Sequence, residues 1–286
     1  MKTFRLTTLN EAITVATTLT KSWFRGHSRA IGELVPRLYR PEFRDPALTA
    51  FRPDLEMTTV EAFKRHAPML ADIHLPAEND RFGWLCVMQH YRTPTRLLDW
   101  TENALVALHF AVSADLTEDG EVWAMLPWAL NQAARAGWGI PIVSESRHVE
   151  YLVGEAYWQG KPEKLAEKVG LSEPVQSPIA VEPTAHFARV AVQAATFTIH
   201  PYLENSRGIA DVLTEPKHLV RYIVPAAAKQ ALSQHLRVLG FSDRHLFPDL
   251  EGLSRMIVSG NRMVGYGPPD PPECSGEIRD DSEDGG

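Results

Sequence analysis

Residues 94–114 read PTRLLDWTENALVALHFAVSA, and this stretch sets the fold. The short apolar run after Pro94 predicts a β-strand that ends near Asp99. Asn103 has the side chain of a helix N-cap, and the apolar stretch behind it predicts a helix over residues 104–114. Ligand sites often lie where a strand of a helix-covered sheet ends and a helix begins. We therefore expect a strand-turn-helix unit with a polar site at its turn.

The rest of the chain divides into elements of the same two kinds. Capping residues and apolar spacing predict further helices over residues 8–19, 55–70, 80–91, 226–239 and 250–258. Short runs rich in β-branched and aromatic residues predict strands over residues 21–26, 120–127, 189–199 and 220–224. Residues 129–170 are interpreted as a polar, mostly helical insertion. The expected fold class is α+β, a single domain over residues 1–264 with a mixed sheet surrounded by helices.

Acidic residues are concentrated at the C-terminal end. Of the formal net charge of −7, residues 270–286 contribute −6, so the rest of the chain is nearly neutral. Residues 265–286 are rich in proline, glycine and acidic side chains, a composition that buries too little apolar surface to order itself. We expect a disordered acidic tail there.

The composition also excludes several classes of protein. No run of about 18 apolar residues occurs, and Arg5, Asn10 and Glu11 interrupt the N-terminal stretch. Neither a membrane span nor a signal peptide is expected, which predicts a cytoplasmic protein with no membrane partner. The two cysteines, Cys86 and Cys274, form no CxxC pair, and GxSxG, HExxH and P-loop patterns are missing from the sequence. We therefore expect no metal.

A first candidate site lies in WFRGHS at residues 23–28. Arg25 at a strand end, with Gly26 behind it, allows a guanidinium and the backbone to approach a phosphate closely, and the neighbouring His27 and Ser28 add polar groups. Arginine outnumbers lysine 21 to 8 in the chain, which favours phosphate recognition but equally fits a generally Arg-rich composition. The alternative is that Arg25 forms a structural ion pair.

A second candidate site lies in QHYRTPTRLLDWTEN at residues 89–103. This stretch places several polar and aromatic side chains on elements expected to be buried, which requires a reason. The candidates are His90, Arg96, Asp99, Trp100 and Thr101. The alternative is structural: Asp99 and Thr101 would cap the following helix, Trp100 would belong to the core, and Arg96 would pair with a neighbour such as Asp99.

These motifs resemble the FRG domain family. The resemblance rests on FRG at residues 24–26, Glu56 on a following helix, the QHYxxPTRLLDWT block at residues 89–101, the spacing of Arg189, Gln193 and Phe197, and LFPDLEGL at residues 246–253. It extends in order over about residues 20–255. One departure is that Arg92-Thr93 replace a glycine often seen between the tyrosine and the proline of the block, so the geometry of that turn stays open.

The order of these motifs is also similar to that of ADP-ribosyltransferases. The similarity implies NAD as substrate, with Arg25 on the diphosphate or ribose and Trp100 stacked on the nicotinamide. It implies further that Gln193 or Glu251 polarises the ribose 2′-hydroxyl. A carboxylate stabilises an oxocarbenium-like centre better than a neutral amide does, which favours Glu251 over Gln193. Asp99 is a third catalytic candidate, and Gly26, His27, Ser28, His90, Arg96 and Thr101 join the candidates for NAD binding.

The resemblance implies an NAD-dependent ADP-ribosyltransferase that acts as a toxin or an anti-phage defence effector. Its partners would be a nucleotide substrate, a protein or nucleic-acid acceptor, and an antitoxin or a defence partner. Two alternatives stay open. One is a non-catalytic module that binds a nucleotide, nucleic acid or protein, and the other is an NAD glycohydrolase.

Overall fold

A computed structural model describes residues 2–40, 53–71, 73–137, 139, 146–154, 161–183, 188–201, 207–250, 252–254 and 257. The strands are β1 (Lys2–Arg5), β2 (Trp23–His27), β3 (Leu97–Thr101), β4 (Gly120–Met125), β5 (Ile179–Val181), β6 (Ala195–Ile199) and β7 (Leu219–Val224). The helices of the first half are α1 (Leu9–Thr18), α2 (Pro53–Leu70), α3 (Arg81–His90), α4 (Ala104–Val112) and α5 (Pro127–Ala133), and a 3-10 turn covers Arg37–Tyr39. The helices of the second half are α6 (Arg147–Val153), α7 (Pro162–Lys168), α8 (Ala188–Val192), α9 (Ile209–Val212), α10 (Ala226–Val238) and α11 (Asp243–Leu246).

All seven strands belong to one mixed sheet, in the order β1-β7-β4-β2-β3-β6-β5. β1 pairs with β7 in parallel, and the other neighbours pair antiparallel. Helices cover the sheet, so the predicted α+β class and mixed sheet are confirmed. Among the described residues, no helix is both long and apolar enough to cross a bilayer.

The sheet is open between its central strand, β2, and the neighbouring strand β3. β2 pairs with β4 through five residues, from Trp23 to His27, and β3 pairs with β6 through five, from Leu97 to Thr101. Between β2 and β3, by contrast, the pairing comprises one position, Phe24 opposite Thr101. Backbone groups beyond that position have no strand partner across the gap and need other hydrogen-bonding groups. The gap is called the fork below.

Helix α4 covers one side of the fork. It starts at Asn103, whose side-chain oxygen accepts from the amides of Leu105 and Val106, as the sequence predicts. It lies so close to β2 that a Cβ atom on Gly26 would be 1.8 Å from the carbonyl oxygen of Ala107. Only glycine fits at this crossing, which explains the glycine that follows Arg25.

A second group of helices packs over the other half of the sheet. The buried side of α3, including Phe82, Leu85 and Met88, shares a core with Val149 and Leu152 of α6 and with residues of β3, β5 and β6. Most of the described residues within 129–170 are helical, in α5, α6 and α7, and α6 belongs to the main core. The two helical groups leave the surface over the fork between them.

The prediction of one strand over residues 189–199 is wrong in its first half. Residues 188–192 form α8, Gln193 and Ala194 form a turn, and only β6 is extended. A short run of alanine and valine fits the period of a helix as well as that of a strand. The turn carries no glycine signal because Ala194 itself adopts a φ of +43°.

Some elements were not predicted, and some predictions cannot be compared with the structure. β1, β5, α9 and α11 are each only three or four residues long and escape detection by periodicity. Within the predicted helix at residues 250–258, the described residues 250, 252–254 and 257 are helical. The predicted tail at residues 265–286 lies outside the described residues.

Candidate functional site

The Arg25 side chain spans the fork. Its Nη1 donates a hydrogen bond of 2.7 Å to the backbone carbonyl of Asp99 and lies 3.7 Å from the Asp99 carboxylate Oδ2. The Arg25 side chain is 12% exposed, whereas that of Asp99 is 52% exposed. A guanidinium thus occupies the place of a missing strand-strand hydrogen bond, and the carboxylate beside it faces solvent.

His27 holds Arg25 from the other side. Arg25 Nη2 lies 2.9 Å from His27 Nε2, and since a guanidinium can only donate, Nε2 must accept. The proton of the neutral ring is then on Nδ1, 3.7 Å from Glu121 Oε1. Burial, helped by the charges of Arg25 and Arg40, lowers the pKa of His27 to about 3, so the ring is neutral at physiological pH.

Glu121 connects this pair to a second arginine. Its side chain is fully buried, and its Oε2 accepts from Arg221 Nε at 2.7 Å. Its carboxylate also accepts from the backbone amide of Gly32. A buried carboxylate is stable only when it is paired in this way. The network therefore fixes the position of His27 and, through His27, that of Arg25.

The Asp99 carboxylate is oriented by two further side chains. Gln89 Nε2 donates to Asp99 Oδ2 at 2.8 Å, and Gln89 Oε1 accepts from the Thr95 hydroxyl at 2.6 Å. Because the hydroxyl donates to the amide oxygen, the amide nitrogen must point at Asp99. This chain fixes one oxygen of the carboxylate while half of the side chain stays exposed.

A cavity of about 320 Å³ opens over the fork. Ligand pockets in proteins measure about 300–1,000 Å³. Among the described residues that line it, Asp99 is the one carboxylate, and Arg25, Arg92 and Arg189 carry positive charge. The lining also includes Phe24, Gly26, Cys86, Gln89, His90, Trp100, Thr101, Phe110, Gln193, Phe197 and Phe247. Burial raises the pKa of the Cys86 thiol well above its usual value, which disfavours the reactive thiolate form.

One end of the cavity is aromatic. The rings of Phe110 and Phe247 meet edge to face with centroids 6.0 Å apart. The guanidinium carbon of Arg189 lies 4.3 Å from the centroid of the Phe247 ring, and Arg189 also reaches Asp249 at 3.5 Å. Aromatic faces beside a guanidinium suit a planar heterocycle. The cavity therefore has a charged end at Arg25 and Asp99 and an aromatic end at Phe110 and Phe247.

The two candidate stretches of the sequence meet at this cavity. Arg25, Gly26, His90, Asp99, Trp100, Thr101 and Gln193 line it. The Thr101 hydroxyl donates to the carbonyl of Gln193, and the Gln193 side-chain amide donates to the carbonyl of Leu246. These bonds attach the turn after α8 to β3 and to α11.

Trp100 contributes to the lining of the cavity, but its indole lies on the face of the sheet opposite to the Asp99 side chain, where it donates to the Thr198 hydroxyl in a core shared with Trp23 and Trp123. Other predicted site residues lie elsewhere. Ser28 donates to Asp115, and neither Ser28 nor His27 lines the cavity. Glu251 lies outside the described residues.

Arg96 is fully buried, with its Nε 2.9 Å from Glu56 Oε2. Its Nη2 also donates to the carbonyl of Leu152 at 2.6 Å. Arg96, which directly precedes β3, thus contacts both α2 and α6 inside the core, and neither Arg96 nor Glu56 lines the cavity. Glu56 belongs to the family pattern in the sequence, but its pairing with Arg96 was not predicted.

Several lining residues were not named as site residues from the sequence. Gln89 and Arg92 lie inside the block of residues 89–103, and Arg189 is part of the family spacing with Gln193 and Phe197. Each of them could therefore have been identified as a site residue from the sequence. Phe247 lies inside the quoted LFPDLEGL segment, and Phe110 lies on the predicted helix over residues 104–114. As for metals, no group of three or more His, Cys, Asp or Glu side chains in the described ranges is arranged to hold an ion.

The fold and the site thus define an α+β protein with a charged and aromatic cavity over an opening in a mixed sheet. Residues 20–120 match the family model of the FRG domain, which confirms the resemblance over that part of the chain. The match includes both Arg25 and Asp99. Neither the characterised proteins nor the solved structures with which the chain was compared match it.

Proposed function

We propose that the protein binds NAD in the cavity over the fork and transfers its ADP-ribose to an acceptor. The observation that carries the proposal is the Asp99 carboxylate, which is half exposed at the cavity wall while one oxygen is fixed by Gln89. The aromatic end at Phe110 and Phe247 supports a heterocycle nearby. Arg25 supports an anionic ligand at the same wall.

The chemistry requires a negative charge beside the ribose. When the bond between the nicotinamide nitrogen and ribose C1′ breaks, its electron pair goes to the nicotinamide, which leaves as a neutral molecule. Positive charge then develops on C1′ and the ring oxygen. A fixed carboxylate stabilises such an oxocarbenium-like centre. The acceptor forms the new bond to C1′ and gives up its proton.

Among the three catalytic candidates, Asp99 fits this role best. Gln193 lines the cavity, but its amide is neutral and donates to the carbonyl of Leu246. Glu251 lies outside the described residues. Asp99 combines charge, exposure and a fixed orientation, so we assign it the stabilisation of the ribosyl cation.

One observation favours the second candidate function, a non-catalytic nucleotide-binding module. Arg25 lies 3.7 Å from the Asp99 carboxylate, and a neighbouring cation reduces the field that the carboxylate exerts on a substrate. Hydrolysis of NAD is the same bond cleavage with water as acceptor. The experiment below separates the three activities.

The test uses NAD labelled separately in its nicotinamide and its ADP-ribose, incubated with the purified protein and a cell lysate. Transfer releases nicotinamide and attaches ADP-ribose to a macromolecule, hydrolysis releases both as small molecules, and a binding module leaves NAD intact. The isosteric variant Asp99→Asn should lower nicotinamide release by about 100-fold or more, the usual effect of losing one electrostatic stabiliser. Saturable binding of intact NAD by the wild type would refute catalysis.

The matched control is Glu173→Gln. Glu173 also pairs with an arginine, Arg135, at 2.8 Å, but on the surface. This variant should keep the wild-type rate of nicotinamide release. An equal loss of nicotinamide release in both variants would indicate that the substitutions damage folding, and it would not support a role for Asp99.

We further propose that the cellular role is that of a toxin or an anti-phage defence effector. Modification of a cellular protein or nucleic acid, or loss of NAD, stops growth, so the proposed reaction supports this role. Expression in bacteria should arrest growth with the wild type and not with Asp99→Asn. Equal growth with both proteins, with and without phage, would contradict it.

A further inference from the structure

A second, smaller cavity adjoins the first at the open end of the fork. It measures about 170 Å³, and four arginines line it, namely Arg25, Arg37, Arg40 and Arg92. Asp99 is the one carboxylate among the described residues of its lining. Arg25, Arg92 and Asp99 line both cavities. The second cavity is called the arginine cavity below.

Among the described residues that line the arginine cavity, cationic side chains outnumber carboxylates. Four arginines and one aspartate belong to this described lining, and the carboxylate of Asp99 lies 3.7 Å from Arg25 Nη1. Burial lowers the pKa of Arg25, the Asp99 carboxylate opposes this, and the charge of Arg40 acts in the same direction as burial. In addition, the buried Arg25 Nε meets no acceptor among the described residues. Such an arrangement favours a bound anion.

Arg92 is held at this cavity in a backbone conformation that suits glycine. Its φ is +61°, in the left-handed region that side chains with a Cβ atom rarely adopt. The turn ends α3, because the amides of Arg92 and Thr93 donate to the carbonyls of Gln89 and Met88. Glycine is the usual residue at this kind of helix end. An arginine that replaces it adds strain, and strained residues cluster at ligand sites.

Arg37 contacts the same turn, and Arg40 is held by a backbone carbonyl close to it in the chain. Arg37 Nη1 donates to the backbone carbonyl of Arg92 at 2.9 Å, and Arg40 Nε donates to the carbonyl of Val35 at 3.4 Å. Arg37 also belongs to the 3-10 turn Arg37–Tyr39. The hydrogen bond from Arg37 therefore connects two of the arginine-bearing segments that line the cavity.

We propose that the arginine cavity binds the diphosphate of a nucleotide whose sugar occupies the first cavity. Guanidinium groups recognise phosphate oxygens through paired, charge-assisted hydrogen bonds, and several of them around one site match a dianion or trianion. The shared wall of Arg25 and Asp99 then marks the junction between diphosphate and ribose. The identity of the nucleotide rests on the proposed function, but the anion site does not.

The test is the affinity for inorganic pyrophosphate, measured by titration calorimetry on the full chain. Wild type should bind pyrophosphate at one site per chain, and added salt should weaken the binding. Arg92→Gly should weaken it at least tenfold without lowering the midpoint of thermal unfolding, because glycine suits the left-handed turn. Arg40→Gln should weaken it as well. No binding to the wild type, or unchanged binding in both variants, would overturn the proposal.

Arg135→Gly is the matched control. Arg135 has a φ of +59° and an 82% exposed side chain, so the same substitution is made in the same backbone conformation away from both cavities. It should leave pyrophosphate affinity unchanged. An equal loss in Arg135→Gly and Arg92→Gly would show an effect of total charge and would overturn the assignment to this cavity.

The results that refute the proposed function differ from those that refute the diphosphate site. If the arginine cavity binds pyrophosphate and NAD is never cleaved, the anion site stands and the transferase is refuted. If NAD is cleaved and Arg92→Gly has a wild-type KM for NAD, the transferase stands and the diphosphate assignment is refuted.

Discussion

The Arg25 guanidinium donates to the backbone carbonyl of Asp99 across an opening in the sheet, although the two residues are 74 positions apart in the chain. A side chain thereby takes over a contact that strand pairing would otherwise make. The same residue lines both cavities. Arg25 thus connects β2 to β3 across the fork and, in our proposal, also binds the ligand.

The first prediction concerns Arg25. Arg25→Gln removes the guanidinium that donates to Asp99 and faces His27, and it should lower the free energy of unfolding by about 1.5–3 kcal/mol, the range for hydrogen bonds to charged groups. Urea unfolding measures this. The control is Arg29→Gln, because the Arg29 side chain is 57% exposed and pairs on the surface, so its loss should change little. Similar values in the two variants would refute a structural role for Arg25.

The second prediction concerns the crossing of α4 over β2. Gly26→Ala places a Cβ atom where the Ala107 carbonyl lies, so the helix must shift, and we expect a loss of at least about 1–3 kcal/mol in unfolding free energy. Gly139→Ala is the control, since a Cβ atom there meets no atom of the described residues within 4 Å. Thermal unfolding of both variants measures the difference. A Gly26→Ala protein as stable as the Gly139→Ala protein would contradict the close packing.

The third prediction separates Arg96 from the ligand site. Because Arg96 and Glu56 are both fully buried and paired, removal of one partner leaves an uncompensated charge. Arg96→Met alone should cost about 3–5 kcal/mol of unfolding free energy. The double variant Arg96→Met with Glu56→Leu should recover part of that loss. Pyrophosphate affinity of the folded double variant should equal that of the wild type, and a tenfold loss would instead place Arg96 at the ligand.

The fourth prediction is a dependence on pH. In the unfolded chain His27 takes up a proton near a pH of about 6.5, whereas in the folded protein its pKa is about 3. Between these values the unfolded state binds more protons, so the free energy of unfolding falls as the pH falls. His27→Gln keeps an acceptor for Arg25 but cannot titrate. Urea unfolding between pH values of about 4 and 7 should therefore show a shallower decline in the variant, and identical declines would contradict the neutral His27.

Local signals were sufficient to predict the strand-turn-helix unit. The cap at Asn103 and the apolar runs on either side of it are properties of adjacent residues, and the structure has β3 and α4 where they indicate. Gly26 could also be recognised from the sequence as a site of close backbone approach. The group that approaches it, the Ala107 carbonyl, lies on helix α4 and could not be identified from neighbouring residues.

The fork could not be predicted, because it depends on pairing between distant strands. Nothing in β2 or β3 alone indicates that they meet only at Phe24 and Thr101. The alternative in which Arg96 pairs with Asp99 is wrong for the same reason. Arg96 pairs with Glu56, which lies on the distant helix α2, and Asp99 contacts Arg25. The left-handed turn at Arg92 was hidden because the residue there is not glycine.

The central claim is that NAD lies over the fork with its ribose against Asp99. The most direct measurement is a crystal structure of the protein with NAD, or of Asp99→Asn if the wild type consumes it. We predict that ribose C1′ lies within about 3–4 Å of the residue 99 side chain, with the diphosphate among Arg25, Arg40 and Arg92. A nucleotide bound elsewhere, with the wall of Arg25 and Asp99 left uncontacted, would contradict the account.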